Sequence, residues 1–226
     1  MKKLHRIPPS PDVISQLYAD YLRLPDGDPA ANFVGMDDAA QAQRSQENDG
    51  LELIRIPDKP IIGKLRIKVL LIDFPDQPGS LPVSHYQQLL FSKNTHPTGS
   101  LRDYFEEVTV AKVDVQGSIN GWLRMPNDYS FYTNNESGTE WNSYPRNAPR
   151  MVEDAVTAAL AAGVEFEPEL DLFRNGTVSA LFIIHAGLGA ETIASEERGN
   201  QIWSHKWMVR NAIEVAPNLA VSTYLT

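Results

Sequence analysis

Lys64-Leu65-Arg66-Ile67-Lys68 alternates polar and apolar residues and runs straight into Val69-Leu70-Leu71-Ile72, which Asp73-Phe74-Pro75-Asp76 brings to a stop. Alternation marks a strand with one covered face, and an unbroken apolar run marks a strand covered on both. The segment is therefore predicted to enter a buried position in a sheet. A strand buried on both faces needs elements packed on each side of it, so the pattern points to layered α/β architecture and away from a helix bundle or a sandwich.

The elements further along the chain agree with this. Ser100-Leu101-Arg102-Asp103 opens like a capping box with a short-armed acid, and Leu101, Tyr104, Phe105 and Val108 fall at helical spacing. Val113, Val115 and Ile119 alternate along a second strand, predicted to end at Asn120-Gly121. Residues 126–148 have loop composition with aromatic residues interspersed. Asn147 caps the next predicted helix, Pro149 sits in its first turn, and Gly163 closes it; Met151, Val152, Ala155, Val156, Ala159 and Leu160 form its apolar face. Val178 to Ile184 reads as a central strand, and Gln201 to Val209 as a further strand carrying Trp203 and Trp207. The order β, α, β, α, β, β predicts a mixed sheet with packed helices.

Residues 1–58 differ in character. Ser10-Pro11-Asp12 followed by Ile14, Leu17, Tyr18, Tyr21 and Leu22 predicts a helix ended by Pro25-Asp26-Gly27, and residues 26–50 read as a polar linker. Two regions are thus expected, 1–58 and 59–226.

The whole chain has 226 residues with 29 Asp and Glu against 20 Lys and Arg, a net charge of −9. An acidic surface repels phosphate backbones and anionic lipid, so neither nucleic acid nor membrane is an expected partner. The basic start Met1-Lys2-Lys3 is not followed by an apolar core, so no signal peptide is read there. With no Cys, disulfides and thiolate metal sites are excluded, which leaves five His and the carboxylates for any chemistry.

Gly187-Leu188-Gly189-Ala190 suggests a dinucleotide fingerprint, but Thr192 stands where a small third residue is needed, and a tight loop leaving a strand is the preferred reading. Asp73 and Asp76 are a candidate carboxylate pair, with His185 as a companion in a small-molecule enzyme. Asp171-Leu172-Phe173-Arg174-Asn175-Gly176-Thr177 has the outline of an eroded calcium loop: Asp171 and Asn175 are the candidate ligands, and Phe173 supplies no oxygen where one is needed. His185 and His205 belong to no His-x-x-x-His pair, so zinc ligation by this chain alone is not expected.

Taken together, Val69 to Asp76, Ser100 to Val108, Val113-Asp114-Val115-Gln116-Gly117, Gly121-Trp122, Leu181 to Gly187 and Ile202-Trp203-Ser204-His205-Lys206-Trp207 resemble, in the same order, the immune inhibitor A-like bacterial zinc metallopeptidases. The Pro8-Pro9-Ser10-Pro11 segment is similar to that family's pro-region. The resemblance implies the N-terminal subdomain of a zincin-type fold and an extracellular endopeptidase acting on peptides or proteins, in which zinc activates a water and a Glu serves as base. It also implies a His-Glu-x-x-His helix downstream of Ile202–Trp207. These 226 residues contain no such motif, so the family's zinc ligands and catalytic Glu have no counterpart here. The chain as given is expected to be inactive, and a missing C-terminal catalytic segment is an expected partner. The alternative is a non-catalytic peptide-binding or propeptide-like module on the same fold.

For the chain itself, the expectation is that Trp203, His205 and Trp207 line a sheet edge that holds an extended peptide by strand addition, with the two indoles on one face. The competing reading places both rings in the core. Burial of both beneath the helix layer would overturn the edge pockets.

Overall fold

Gly63–Asp73 forms β1, and every residue from Ile67 to Asp73 along it is buried. In the computed structural model, residues 60–193 and 195–226 are described. The helix expected from Pro11, the linker at 26–50 and the boundary at 58/59 lie outside them.

After β1 come helices α1 (Val83–Phe91) and α2 (Leu101–Val108), strand β2 (Val113–Arg124), the short helix α3 (Tyr129–Thr133), the long helix α4 (Ala148–Ala161), and strands β3 (Leu181–His185), β4 (Lys206–Ala216) and β5 (Leu219–Leu225). The sheet order is β2-β1-β3-β5-β4. The β1–β2, β1–β3 and β3–β5 pairings are parallel, and β4 is antiparallel to β5. The expected mixed α/β sheet is thus observed, with β3 in the middle as its apolar composition requires. No helix among the described residues is long and apolar enough to cross a membrane.

Strand period decides which layer each β1 side chain meets. Ile67, Val69 and Leu71 pack with Leu90 and Phe91 of α1 and with Val113 and Val115 of β2. The alternate residues Lys68, Leu70 and Ile72 point the other way. There the Lys68 ammonium, itself buried, donates to the Glu165 carbonyl at 2.7 Å just beyond α4 and pairs with Glu167 at 3.0 Å. Burying a lysine is tolerable here because its donors are matched.

The helix termini follow the capping signals. Ser100 accepts from the Asp103 N–H, and Asp103 accepts from the Ser100 N–H, which makes a complete capping box. Asn147 accepts from the Arg150 N–H, and Gly163 adopts φ +75° just past the end of α4. The predicted stripe on α2 is only half covered, since Tyr104 and Val108 are exposed.

Three expectations need correction, and one helix stands outside them. β2 does not end at Asn120-Gly121 but runs to Arg124 through a bulge: Leu70 pairs with Asn120, yet Ile72 pairs with Leu123. Gly121 permits this because its φ is +148° and a Cβ there would meet the Leu71 carbonyl oxygen at 2.4 Å. The stretch 126–148 is not all loop, for it contains α3 and the fully buried Tyr132. Helix α1 was not foreseen, having no side-chain cap and only Leu90 and Phe91 buried. Finally, β4 starts at Lys206, and its partner β5 follows across a turn at Pro217-Asn218, where Asn218 takes φ +60°.

Candidate functional site

The parallel strands β1, β2 and β3 end at Asp73, Arg124 and His185. The chain leaves β1 toward β2 on one side and leaves β3 toward β4 and β5 on the other, and such a reversal opens the usual ligand crevice of an α/β sheet. Here the crevice is built over with architecture. Asp73 takes Arg124 in a two-pronged pair, Nε to Oδ1 at 2.7 Å and Nη2 to Oδ2 at 3.0 Å, and Oδ2 also accepts the Gly79 N–H at 3.0 Å. Asp76 accepts the Tyr129 N–H at 2.8 Å. The two carboxylates therefore hold separate loops and do not form an acid–base pair, which sets aside the small-molecule enzyme built on Asp73, Asp76 and His185.

Tyr129 fills the space between. Its hydroxyl accepts the Ile202 N–H at 2.8 Å and donates to the Leu188 carbonyl at 3.2 Å, and its ring lies 5.6 Å from that of His185. Burial pushes the phenol up to about 12. The Gly187–Ala190 stretch is the tight loop expected, with Gly187 at φ +108°.

Tertiary structure brings His185, Glu191 and His205 within electrostatic reach of one another. Burial lowers His185, against the opposing pull of the Ala186 carbonyl and Glu191. His205 is buried among aromatic rings, with Nδ1 at 2.5 Å from the Trp203 carbonyl and Nε2 at 2.9 Å from the Tyr224 hydroxyl. Burial pulls it down to about 4, so it is a neutral imidazole with both nitrogens engaged. Glu191 is committed to Ser204, accepting its hydroxyl at 2.5 Å and its N–H at 3.3 Å.

Trp203 and Trp207 are both buried, at 4% and 0% exposure. Trp207 packs against Trp141 at 5.5 Å and against His205 at 5.5 Å. Because β4 begins at Lys206, Trp203 precedes the strand and the two indoles share no strand face. The expectation that Trp203, His205 and Trp207 form side-chain pockets along an edge is overturned: these three are core. The position of β4 is a separate matter, since among the described residues it is the terminal strand of the sheet.

The described residues do not fit a zinc centre. Among the described residues no group of three His, Asp or Glu converges as a metal would need, and both ring nitrogens of His205 are taken. The Asp171–Asn175 turn does not fit calcium either. Asp171 Oδ1 and Oδ2 accept the N–H groups of Asn175 (3.0 Å) and Gly176 (2.8 Å), and the Asn175 side-chain oxygen is turned back onto Thr177. Phe173 is exposed and offers no oxygen, whereas calcium takes about six.

What sequence reasoning missed lies around β4. Val209, Arg210, Asn211 and Ala212 bulge out opposite Ser222, and Arg210, Asn211 and Ala212 are exposed. Glu153 of α4, 7% exposed, accepts the N–H groups of Arg210 and Asn211 at 2.8 and 2.9 Å, and the Tyr144 hydroxyl donates to its other oxygen at 2.8 Å. Local pattern held no signal for this beyond a charged residue on the apolar side of a helix.

The model of the immune inhibitor A peptidase M6 catalytic domain matches residues 63–220, from the start of β1 into β5. The chain belongs to that family. Immune inhibitor A of Bacillus thuringiensis subsp. alesti is 24% identical over 180 residues, covering 66% of this chain and 26% of that protein. Pre-pro-metalloprotease PrtV of Vibrio cholerae serotype O1 (strain M66-2) is 29% identical over 176 residues, covering 63% of this chain and 19% of PrtV. This M6-family chain thus spans about a quarter or less of each relative, and what matches is the sheet with its helices.

Proposed function

We propose that this chain forms the sheet wall of the substrate cleft in an extracellular, zinc-dependent endopeptidase, with β4 as the strand beside which an extended peptide lies. The observation that carries the reading is the place of β4: among the described residues it is the one antiparallel strand, at the end of an otherwise parallel sheet, in a chain whose family match covers most of that sheet. A terminal strand offers its backbone to a peptide by strand addition. Zinc chemistry is assigned to residues other than these, because Asp73, Asp76, His185 and His205 are engaged in holding loops and core, and no group of three potential ligands converges among the described residues. The role of this chain is to position the peptide, and its chemistry is hydrogen bonding along β4.

Two measurements on the purified chain test the reading. Casein incubated with the chain and zinc is expected to remain intact; chelator-sensitive cleavage would overturn the division of labour. Nuclear magnetic resonance titration with blocked, extended peptides is expected to shift the amides of Met208 and of Ile213 to Ala216. Unmoved β4 amides at millimolar peptide would overturn the substrate-strand role.

A further inference from the structure

The β4 bulge differs from an ordinary edge irregularity in how it is held. Its amides at Arg210 and Asn211 are turned into Glu153, so at this step β4 has no N–H to offer a neighbouring strand. Asn211 Nδ2 donates to the Tyr144 hydroxyl at 3.4 Å. The Arg210 guanidinium lies over two rings, 5.2 Å from the centre of Trp141 and 5.4 Å from that of Tyr144. Arg210 has no carboxylate partner among the described residues, unlike Arg102, Arg124 and Arg150 but like Arg66, Arg146, Arg174 and Arg198, and what sets it apart from these is that it lies over two rings.

A stacked guanidinium has already lost much of its rotamer freedom, so a ligand need not supply that ordering. Its planar donors stay matched to a carboxylate, which they grip in a two-pronged fashion that Lys does not reproduce. Where the backbone is withdrawn from the edge, recognition passes to the side chain that remains exposed.

We propose that Arg210 is a specificity-determining residue that selects an acidic side chain at the point where an extended peptide crosses the β4 bulge. This rests on the substrate-strand reading above and names the class of peptide it favours. In a chain of net charge −9, a seated cation at the edge gives a local exception to the general repulsion of acidic ligands.

The test uses the full chain and blocked peptides of serine and threonine that carry one Glu, Gln or Lys, scanned along the peptide and titrated at low salt. Glu peptides are expected to bind roughly two- to fivefold more tightly than Gln peptides at one position, the range of an exposed ion pair. Roughly 0.5 M salt is expected to erase the difference. Arg210→Glu is expected to reverse it in favour of Lys, and Arg210→Lys to keep only part of it. Arg210 is exposed, so unchanged melting of the variants checks that they fold. Equal binding of all three peptide types, or a Glu preference that survives Arg210→Glu, overturns the role of Arg210 and leaves the substrate-strand reading standing. Failure of every peptide to bind overturns both.

Discussion

Glu153 Oε1, on α4, accepts the backbone N–H of Arg210, on β4, at 2.8 Å across 57 residues of sequence. The same oxygen takes the N–H of Asn211, and Oε2 takes the Tyr144 hydroxyl. One buried carboxylate therefore replaces the ladder bonds that the bulge gives up, and it couples the long helix to the end strand of the sheet.

Removing that acceptor strands several donors at once. Glu153→Ala is expected to cost ~2–4 kcal/mol in urea unfolding, the range for buried polar groups left unpaired. Glu153→Gln, which keeps an oxygen for the two amides, is expected to lose clearly less. Equal stability of the alanine variant and the parent would show that the carboxylate does not hold the bulge.

Acid is expected to destabilise the fold through His205. Its pKa falls from an ordinary 6.5 when unfolded to about 4 in the folded chain. The unfolded state then binds the proton first, so the contribution is fully present above pH ~6.5 and is lost as pH falls toward 4. The pKa difference corresponds to roughly 3 kcal/mol across that window. Stability measured from pH 7 to pH 4 checks this, and His205→Asn is expected to flatten the slope while lowering the plateau.

The start of α2 offers a cleaner energy. Ser100 caps Asp103 and also donates to the Ser92 carbonyl at 2.5 Å. Ser100→Ala is expected to cost ~1–2 kcal/mol and Asp103→Ala somewhat less. Because each residue serves the other, the double variant is expected to lose less than the sum. Strict additivity in a denaturant cycle would contradict a reciprocal box.

At the end of β1, Asp73 is buried while the Arg124 side chain is 55% exposed. Solvent screens that pair, so Arg124→Ala is expected to move the unfolding midpoint only slightly. Asp73→Ala also frees the Gly79 N–H, and hydrogen exchange at Gly79 is expected to accelerate well beyond the effect of Arg124→Ala. Similar exchange rates in the two variants would mean that the loop is held by other contacts, such as Trp122 Nε1 donating to the Leu81 carbonyl at 2.9 Å.

Much of the fold is legible along the chain because the interactions that decide it are local. Val69–Ile72 must be covered on both faces wherever it goes, Ser100 and Asp103 satisfy each other three residues apart, and Asn147 and Gly163 bracket α4 by their own backbone preferences. Helix α1 has no such cap, and its Leu90 and Phe91 are buried in the core with Val83 and Tyr86 packed beside them. The site is less legible. Trp203 and Trp207 share a spacing that mimics one strand face, and only the start of β4 at Lys206 separates them and sends both inside. Asp73 with Arg124, Glu153 with Arg210, and His205 with Tyr224 are partners set by how strands and helices stack. A sequence fixes which groups need covering or pairing, whereas the partner depends on chain crossings tens of residues apart. For this M6-family chain, the sequence by itself determined the layered α/β sheet and its family. The tertiary structure decided that the predicted aromatic pockets are core and that Arg210, on an edge bulge seated by Glu153, is the exposed group.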